Sequence, residues 1–410
     1  MNLKEVVKLN PSSSITIEHL PNEILLSILK KCASPSLFSV GKRWHHLLTN
    51  EVMPSLYKKI GKVHVPQGNF NKQALILDKT YRLEIGLSKV AKVNVIFKQI
   101  FALANSLSPL ELEFKWVTKE KRYFTFVNYT SYLLNINRLL MWNTLPGGSE
   151  YLEQEKIKYL SLEKKGELFK KWIERRGKDI TGLEITTIGL TFLPSEIQHL
   201  SKLKHLNLEN NKLTFLPKEI GQLTQLQKLT LNNNQLTSLP AEIGQLSTLI
   251  ELNINDNYLT SLPSEIKRIA YLQDLDLGNN QFAVFPLEIT HLVQLKWLFL
   301  QSNQLTSLPA EIKQLSQLEI ISLDHNQLTF LPAEIGQLSQ LEIINLDHNQ
   351  LTSLPAELRQ LSYLENLSVI SNQIDSLPAE LGQLPKGVNF NLKENPLKSI
   401  PNEIKQRFNP

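Results

Sequence analysis

Cysteine is almost missing from this 410-residue chain, where Cys32 stands alone. One thiol excludes an internal disulfide and a cysteine-based zinc cluster, and it suits a reducing compartment. Cys32 itself reads as a small buried hydrophobe. Long apolar runs are missing too. The most apolar stretch, VNVIFKQIFALANSL at 93–107, is too short for a bilayer and is broken by Lys98 and Gln99, so no membrane contact is expected. No charged-then-apolar leader opens the chain, so no secretory signal is expected. A glycine-rich phosphate loop, an HExxH pair and a nucleophile elbow are all absent. The chain therefore reads as a non-enzyme with no catalytic residue, no cofactor and no metal.

What the chain does have is an uneven charge. The net charge is +5, but residues 1–178 hold 29 Lys and Arg against 15 Asp and Glu, while residues 179–410 hold 15 against 24. Two surfaces with different partners are expected. The basic cluster Lys170, Lys171, Arg175, Arg176 and Lys178 lacks the interleaved aromatics of a nucleic-acid groove, so it reads as a solvated helix face, with no nucleic-acid partner.

The strongest signal is a 23-residue period. A Leu-Pro pair or a close variant recurs from Leu193-Pro194 to Ile400-Pro401. An asparagine keeps the same phase at Asn211, Asn234, Asn257, Asn280, Asn303, Asn326, Asn349, Asn372 and Asn395. The unit reads LxxLxLxxNxLTxLPxEIxxL. Leucines two apart point to one side of a strand, and the residues between them point to the other. The asparagine amide can satisfy the turn that ends the strand. Each unit buries its leucines only against its neighbours, so the array needs caps.

The unit resembles the leucine-rich repeat family over about 180–400. The resemblance implies an α/β solenoid: a curved parallel sheet inside, short helices or irregular turns outside. The repeats are expected over 179–395, about ten of them, with a C-terminal cap at 396–410. Ile188 replaces the asparagine in the first unit. Before it, Leu168, Phe169, Trp172 and Ile173 form a helical stripe, so a capping helix is expected over 151–178.

PNEI in the last repeat (401–404) also occurs at 21–24, but out of phase with the period and without LxLxxN. There "PNEILLSILKKC" reads as a helix with Pro21 in its first turn and Ile24, Leu25, Ile28 and Leu29 on one face. "GKRWHHLL" follows, with Val40, Trp44, Leu47 and Leu48 at helical spacing. LPNEIL with a later KRW resembles an F-box, which implies a mainly helical region at 18–60 behind a tail at 1–17. Its middle is shorter than the family's, and Gly41 stands where the family commonly has cysteine.

An F-box followed by leucine-rich repeats resembles the substrate receptors of SCF-type ubiquitin ligases. The resemblance implies a Skp-type adaptor held by Leu20, Pro21, Ile24, Leu25, Ile28, Val40, Trp44 and Leu47, and a target protein held by the repeats of a chain that is monomeric on its own. The repeat wording, "LPAEIGQLSQLEIINLDHNQLTSLP", is similar to that of F-box/leucine-rich-repeat proteins of amoeba-associated chlamydiae and legionellae. That implies a bacterial effector working in the host cytosol. The alternative is an interaction scaffold whose N-terminal helices are only structural.

Residues 61–150 read as a mixed linker domain, with a helix at 93–107 and a hairpin pairing LELEFKWV (110–117) with RYFTFVNY (122–129). Asp324-His325 and Asp347-His348 lie 23 apart and so stack in adjacent repeats; duplication of the unit accounts for them without a metal. On the outward strand positions, Trp297, Phe299, Ile320, Ile343 and Ile370 stand where polar residues are expected. With Asp274, Asp276, Asp324 and Asp347 around them, they are the expected site for a target, a basic one by charge.

Overall fold

The computed structural model describes residues 41–108 and 126–408, together with Asn22, Glu23, Leu25, Leu26 and Leu29. Leu20, Pro21, Ile24, Ile28 and Val40 lie outside the described residues, as do Cys32 and the strand expected at 110–117. The chain divides into two compact units, Met1–Leu134 with Tyr159–Glu163, and Asn135–Lys158 with Lys164–Pro410.

The first unit is helical where described. α1 (Lys42–Leu47) runs through one π-turn (Leu48–Val52) into α2 (Met53–His64), followed by α3 (Phe70–Thr80) and α4 (Lys89–Leu107). The last of these covers the helix expected at 93–107. Its start is fixed by Ser88, whose hydroxyl accepts from the Ala91 N–H at 3.2 Å, and Asn69 caps α3 by accepting from the Lys72 N–H at 2.9 Å. Trp44, Leu47, Leu48, Met53, Ile60, Leu77 and Ile96 are buried, and Leu25 and Leu29 join this core. α5 (Phe126–Thr144) occupies part of the segment read as a hairpin strand. Tyr129, Leu133 and Ile136 are buried at spacings of four and three, so the helical period prevails over the short alternation read from RYFTFVNY.

The second unit contains one ten-stranded sheet with strands in chain order, every neighbouring pair parallel. Its three-residue strands are β1 (Gly182–Glu184), β2 (His205–Asn207), β3 (Lys228–Thr230), β4 (Glu251–Asn253), β5 (Asp274–Asp276), β6 (Trp297–Phe299), β7 (Ile320–Ser322), β8 (Ile343–Asn345), β9 (Asn366–Ser368) and β10 (Asn389–Asn391). Each residue pairs with the one 23 positions on, as His205 with Lys228 and Lys228 with Glu251. The open sheet is curved. On the outer side each LPxEI segment makes a five-residue 3₁₀ turn, such as Ala241–Gln245, with the Ile243 N–H donating to the Pro240 carbonyl at 3.1 Å. Proline sets the extended entry, and five residues are too few to propagate an α-helix. The last PNEI differs: it opens α7 (Asn402–Phe408), with Ile404 fully buried and Phe408 edge-on to Phe390 at 5.7 Å.

The asparagines do what their spacing predicts. The Asn257 Oδ1 accepts from the Leu236 N–H at 2.9 Å, and its Nδ2 donates to the carbonyls of Leu231, Ile254 and Asn255 at 3.0, 3.1 and 3.1 Å. The residue before each of the nine asparagines is left-handed, with φ between 51° at Asn279 and 58° at Glu394. Asn, Asp, Ser, His and Glu fill that position; Asn, Asp and His are the side chains that tolerate it best.

At the N-terminal end of the array, Asn137 from α5 supplies for Thr191 the acceptor that the preceding repeat supplies in the next unit, where the Thr214 N–H donates to the Thr191 carbonyl at 3.3 Å. The Asn137 Oδ1 accepts from the Thr191 N–H at 2.8 Å, and its Nδ2 donates to the Thr191 hydroxyl at 2.9 Å. Arg138, also on α5, meets Glu196 at 2.7 Å in a buried ion pair. α6 (Leu162–Arg176) carries the expected Phe169 and Trp172, which pack at 5.5 and 5.7 Å on Trp142 of α5. In place of one helix over 151–178, the structure has short helices at Gly148–Leu152 and Glu155–Lys158 followed by α6.

Candidate functional site

The inner face of the sheet is a grid whose rows are fixed by strand register. In one row Glu251, Asp274, Trp297, Ile320, Ile343 and Asn366 stand opposite one another on successive strands. The next row runs Asn253, Asp276, Phe299, Ser322 and Asn345. The structure thus brings Trp297, Phe299, Ile320 and Ile343 together over three adjacent strands, with Asp274 and Asp276 on the neighbouring strand. Trp297 is 40% exposed, and Phe299, Ile320 and Ile343 are half-buried. Ile370 lies after β9, four residues beyond Asn366, and is not in the row of Ile343. Its N–H donates to the Asp347 carboxylate at 2.7 Å.

The four carboxylates fall into two kinds. Asp324 accepts from the Ser322 hydroxyl at 2.6 Å and from Asn345 at 3.1 Å. Asp347 accepts from the Ser368 hydroxyl at 2.6 Å. These two brace neighbouring repeats. Asp276 also has donors, the Gly278 N–H at 2.9 Å and Asn255 at 3.3 Å, yet burial still raises its pKa. For Asp274 no hydrogen-bond donor is found among the described residues. Burial first, then Glu251 and Asp276, push its carboxyl up to about 6. Glu251 is itself engaged by Lys228, and Lys296 by Glu319 at 2.8 Å.

His325 and His348 stack face to face, ring centroids 4.3 Å apart. Each occupies a left-handed position, with φ of 55° and 54°. Among the described residues no three His, Cys, Asp or Glu side chains gather about one point that a metal could fill.

Of the adaptor candidates, Leu25, Trp44 and Leu47 are 0%, 4% and 4% exposed, inside the first unit's own core. Both motif segments are linked nonetheless: Arg43 donates from Nε and Nη2 to the Asn22 Oδ1 at 2.8 and 2.5 Å. Nearby in sequence, α2 ends in a polar group that no motif signalled. The His64 Nε2 lies 2.7 Å from the Tyr129 hydroxyl and 3.0 Å from that of Tyr81, all three fully or nearly buried.

The repeat grid, its asparagine ladder and the in-register strands are matched by a family model described as a leucine-rich repeat region, at residues 193–285 and 285–394. Residues 193–394 are a leucine-rich repeat region. Among solved structures, the chain resembles a leucine-rich repeat protein of Leptospira interrogans at 43% identity and a TM-score of 0.54, over 56% of this chain and 58% of that one. It also resembles the leucine-rich repeat ectodomain of the Arabidopsis thaliana membrane receptor kinase GASSHO1/SCHENGEN3, in complex with CASPARIAN STRIP INTEGRITY FACTOR 2. There the identity is 28% and the TM-score 0.51, over 64% of this chain and 33% of that one. A plant peptide hormone receptor, RGFR1 in complex with RGF2, matches at 27% identity and a TM-score of 0.50, over 57% of this chain and 39% of that one. The chain thus spans less than two thirds of each of these. No curated protein matches. Among the described residues no helix is long and apolar enough to cross a membrane.

Proposed function

We propose that the chain is a non-catalytic receptor that holds a target protein on the inner face of its repeats. In this reading the F-box-like N-terminal region presents that target to the Skp-type adaptor of an SCF-type ubiquitin ligase. The observation that carries the first half is the exposed apolar strip led by Trp297. Large aromatics left in contact with water among other apolar groups usually mark a partner site. The two plant receptor structures, one in complex with RGF2 and one with CASPARIAN STRIP INTEGRITY FACTOR 2, support a binding role for the repeats.

The adaptor half is supported by the LPNEI and KRW segments and by the Arg43–Asn22 contact that joins them. A bacterial effector acting in host cytosol fits the repeat wording, and the Leptospira likeness supports a bacterial repeat type. The test is to mix the full chain with a purified eukaryotic Skp-type adaptor. A complex with a dissociation constant of tens of micromolar or tighter, about −6 kcal/mol, is expected. No complex at those concentrations favours the scaffold reading, in which the N-terminal helices serve the fold alone. Trp44→Ala is unsuited to this test: the buried indole leaves a cavity, at a cost of about 3–5 kcal/mol to the first unit.

A further inference from the structure

The inner face carries more information than its apolar strip alone. Asp274 stands directly opposite Trp297, and Asp276 directly opposite Phe299, on adjacent strands about 4.8 Å apart. We propose that this corner docks an extended protein segment through an arginine side chain. The guanidinium lies against the Trp297 indole and reaches the Asp274 and Asp276 carboxylates, while an aliphatic residue further along the segment covers Ile320 and Ile343. This rests on the reading of the inner face as the target site and adds the chemistry of its occupant.

Charge complementarity decides the occupant. A purely apolar segment laid here would desolvate Asp274 without giving it a partner, which is costly. An acidic or phosphorylated segment would meet Glu251, Asp274 and Asp276 as like charges. Among the described residues the nearby cations are already engaged, Lys228 by Glu251 and Lys296 by Glu319, and Lys228 offsets only part of the rise at Asp274. Burial first, then the like charges of Glu251 and Asp276, raise the Asp274 pKa to about 6, and an arriving cation would relieve that. Arginine fits better than lysine because its planar fork stacks on an aromatic face while donating to two carboxylates at once. The spacing also fits. Two repeats separate the Asp274–Trp297 pair from the Ile320–Ile343 pair, about 10 Å, which an extended chain crosses in about three residues.

The test pans a random peptide display library against the full-length chain and counter-selects on Trp297→Ala. The expected binders share an arginine followed within about four residues by Leu, Ile or Val. Replacing that arginine by alanine is expected to cost at least about tenfold in affinity, by lysine less. Asp274→Asn, an isosteric change checked for an unaltered fold by circular dichroism, is expected to cost about tenfold as well. Binders that depend on Trp297 but lack arginine, and that bind Asp274→Asn as well as the parent, overturn the arginine inference and leave the inner-face reading standing. A parent chain that dimerises through this face, dissociating on Trp297→Ala, also overturns it, since a second copy is then the occupant. Peptides that bind parent and Trp297→Ala equally, or a library that yields no binder, contradict both.

Discussion

Asp274 is an ionisable group that the fold disfavours in its charged form. Its folded pKa, about 6, lies above the ordinary 3.8, so the stability it lends is present below about pH 4 and lost as the pH rises through about 6. Asp274→Asn is therefore expected to raise the melting temperature of the repeats at pH 7.5 and to leave it unchanged at pH 3.5. An unchanged melting temperature at both pH values would mean that Asp274 carries no such penalty. His64 is the opposite case. Burial lowers its pKa from 6.5 to about 4, so the neutral ring contributes stability above pH 6.5 that is lost as the pH falls towards 4, about 3 kcal/mol in all. The protection factors of the α2 amides, which are corrected for the intrinsic pH dependence of exchange, should fall over that range. His64→Gln, which cannot titrate, should flatten the dependence; an equal slope in both proteins would rule His64 out as its source.

Among the elements, the asparagine ladder and the left-handed residue before it repeat with almost no variation. Asn257→Ala removes the acceptor for the buried Leu236 N–H, whereas the Leu231 and Ile254 carbonyls keep a second donor in Asn234 and Asn280. The loss should therefore be about 1–3 kcal/mol, set by one stranded amide and not by four bonds. Urea unfolding of the variant measures it, and a change below about 0.5 kcal/mol would show that the turn finds another acceptor. The ladder was legible because nine successive repeats restate it. The N-terminal finish of the array was not: Asn137 precedes the first repeat by about two periods, on a helix whose polar residues follow no pattern that points to Thr191. The hairpin reading failed for a related reason, since eight residues of RYFTFVNY fit a strand and a helix start equally well. The row geometry of Trp297, Ile320 and Ile343 followed from the period of two. The inward bracing of Asp324 and Asp347 depends on Ser322, Asn345 and Ser368, and spacing alone does not reveal it.

For the whole molecule, the claim is that a long stack of near-identical units is interrupted at its centre by one apolar strip, and that the strip is where a target protein sits. The most direct measurement is the affinity of an isolated target for the parent chain, for Trp297→Ala and for Gln337→Ala, an exposed position on an outer turn. The account predicts a loss of at least about tenfold, about 1.4 kcal/mol, for Trp297→Ala, with its melting temperature close to the parent's and with Gln337→Ala binding as the parent does. Equal affinities for all three proteins would contradict it.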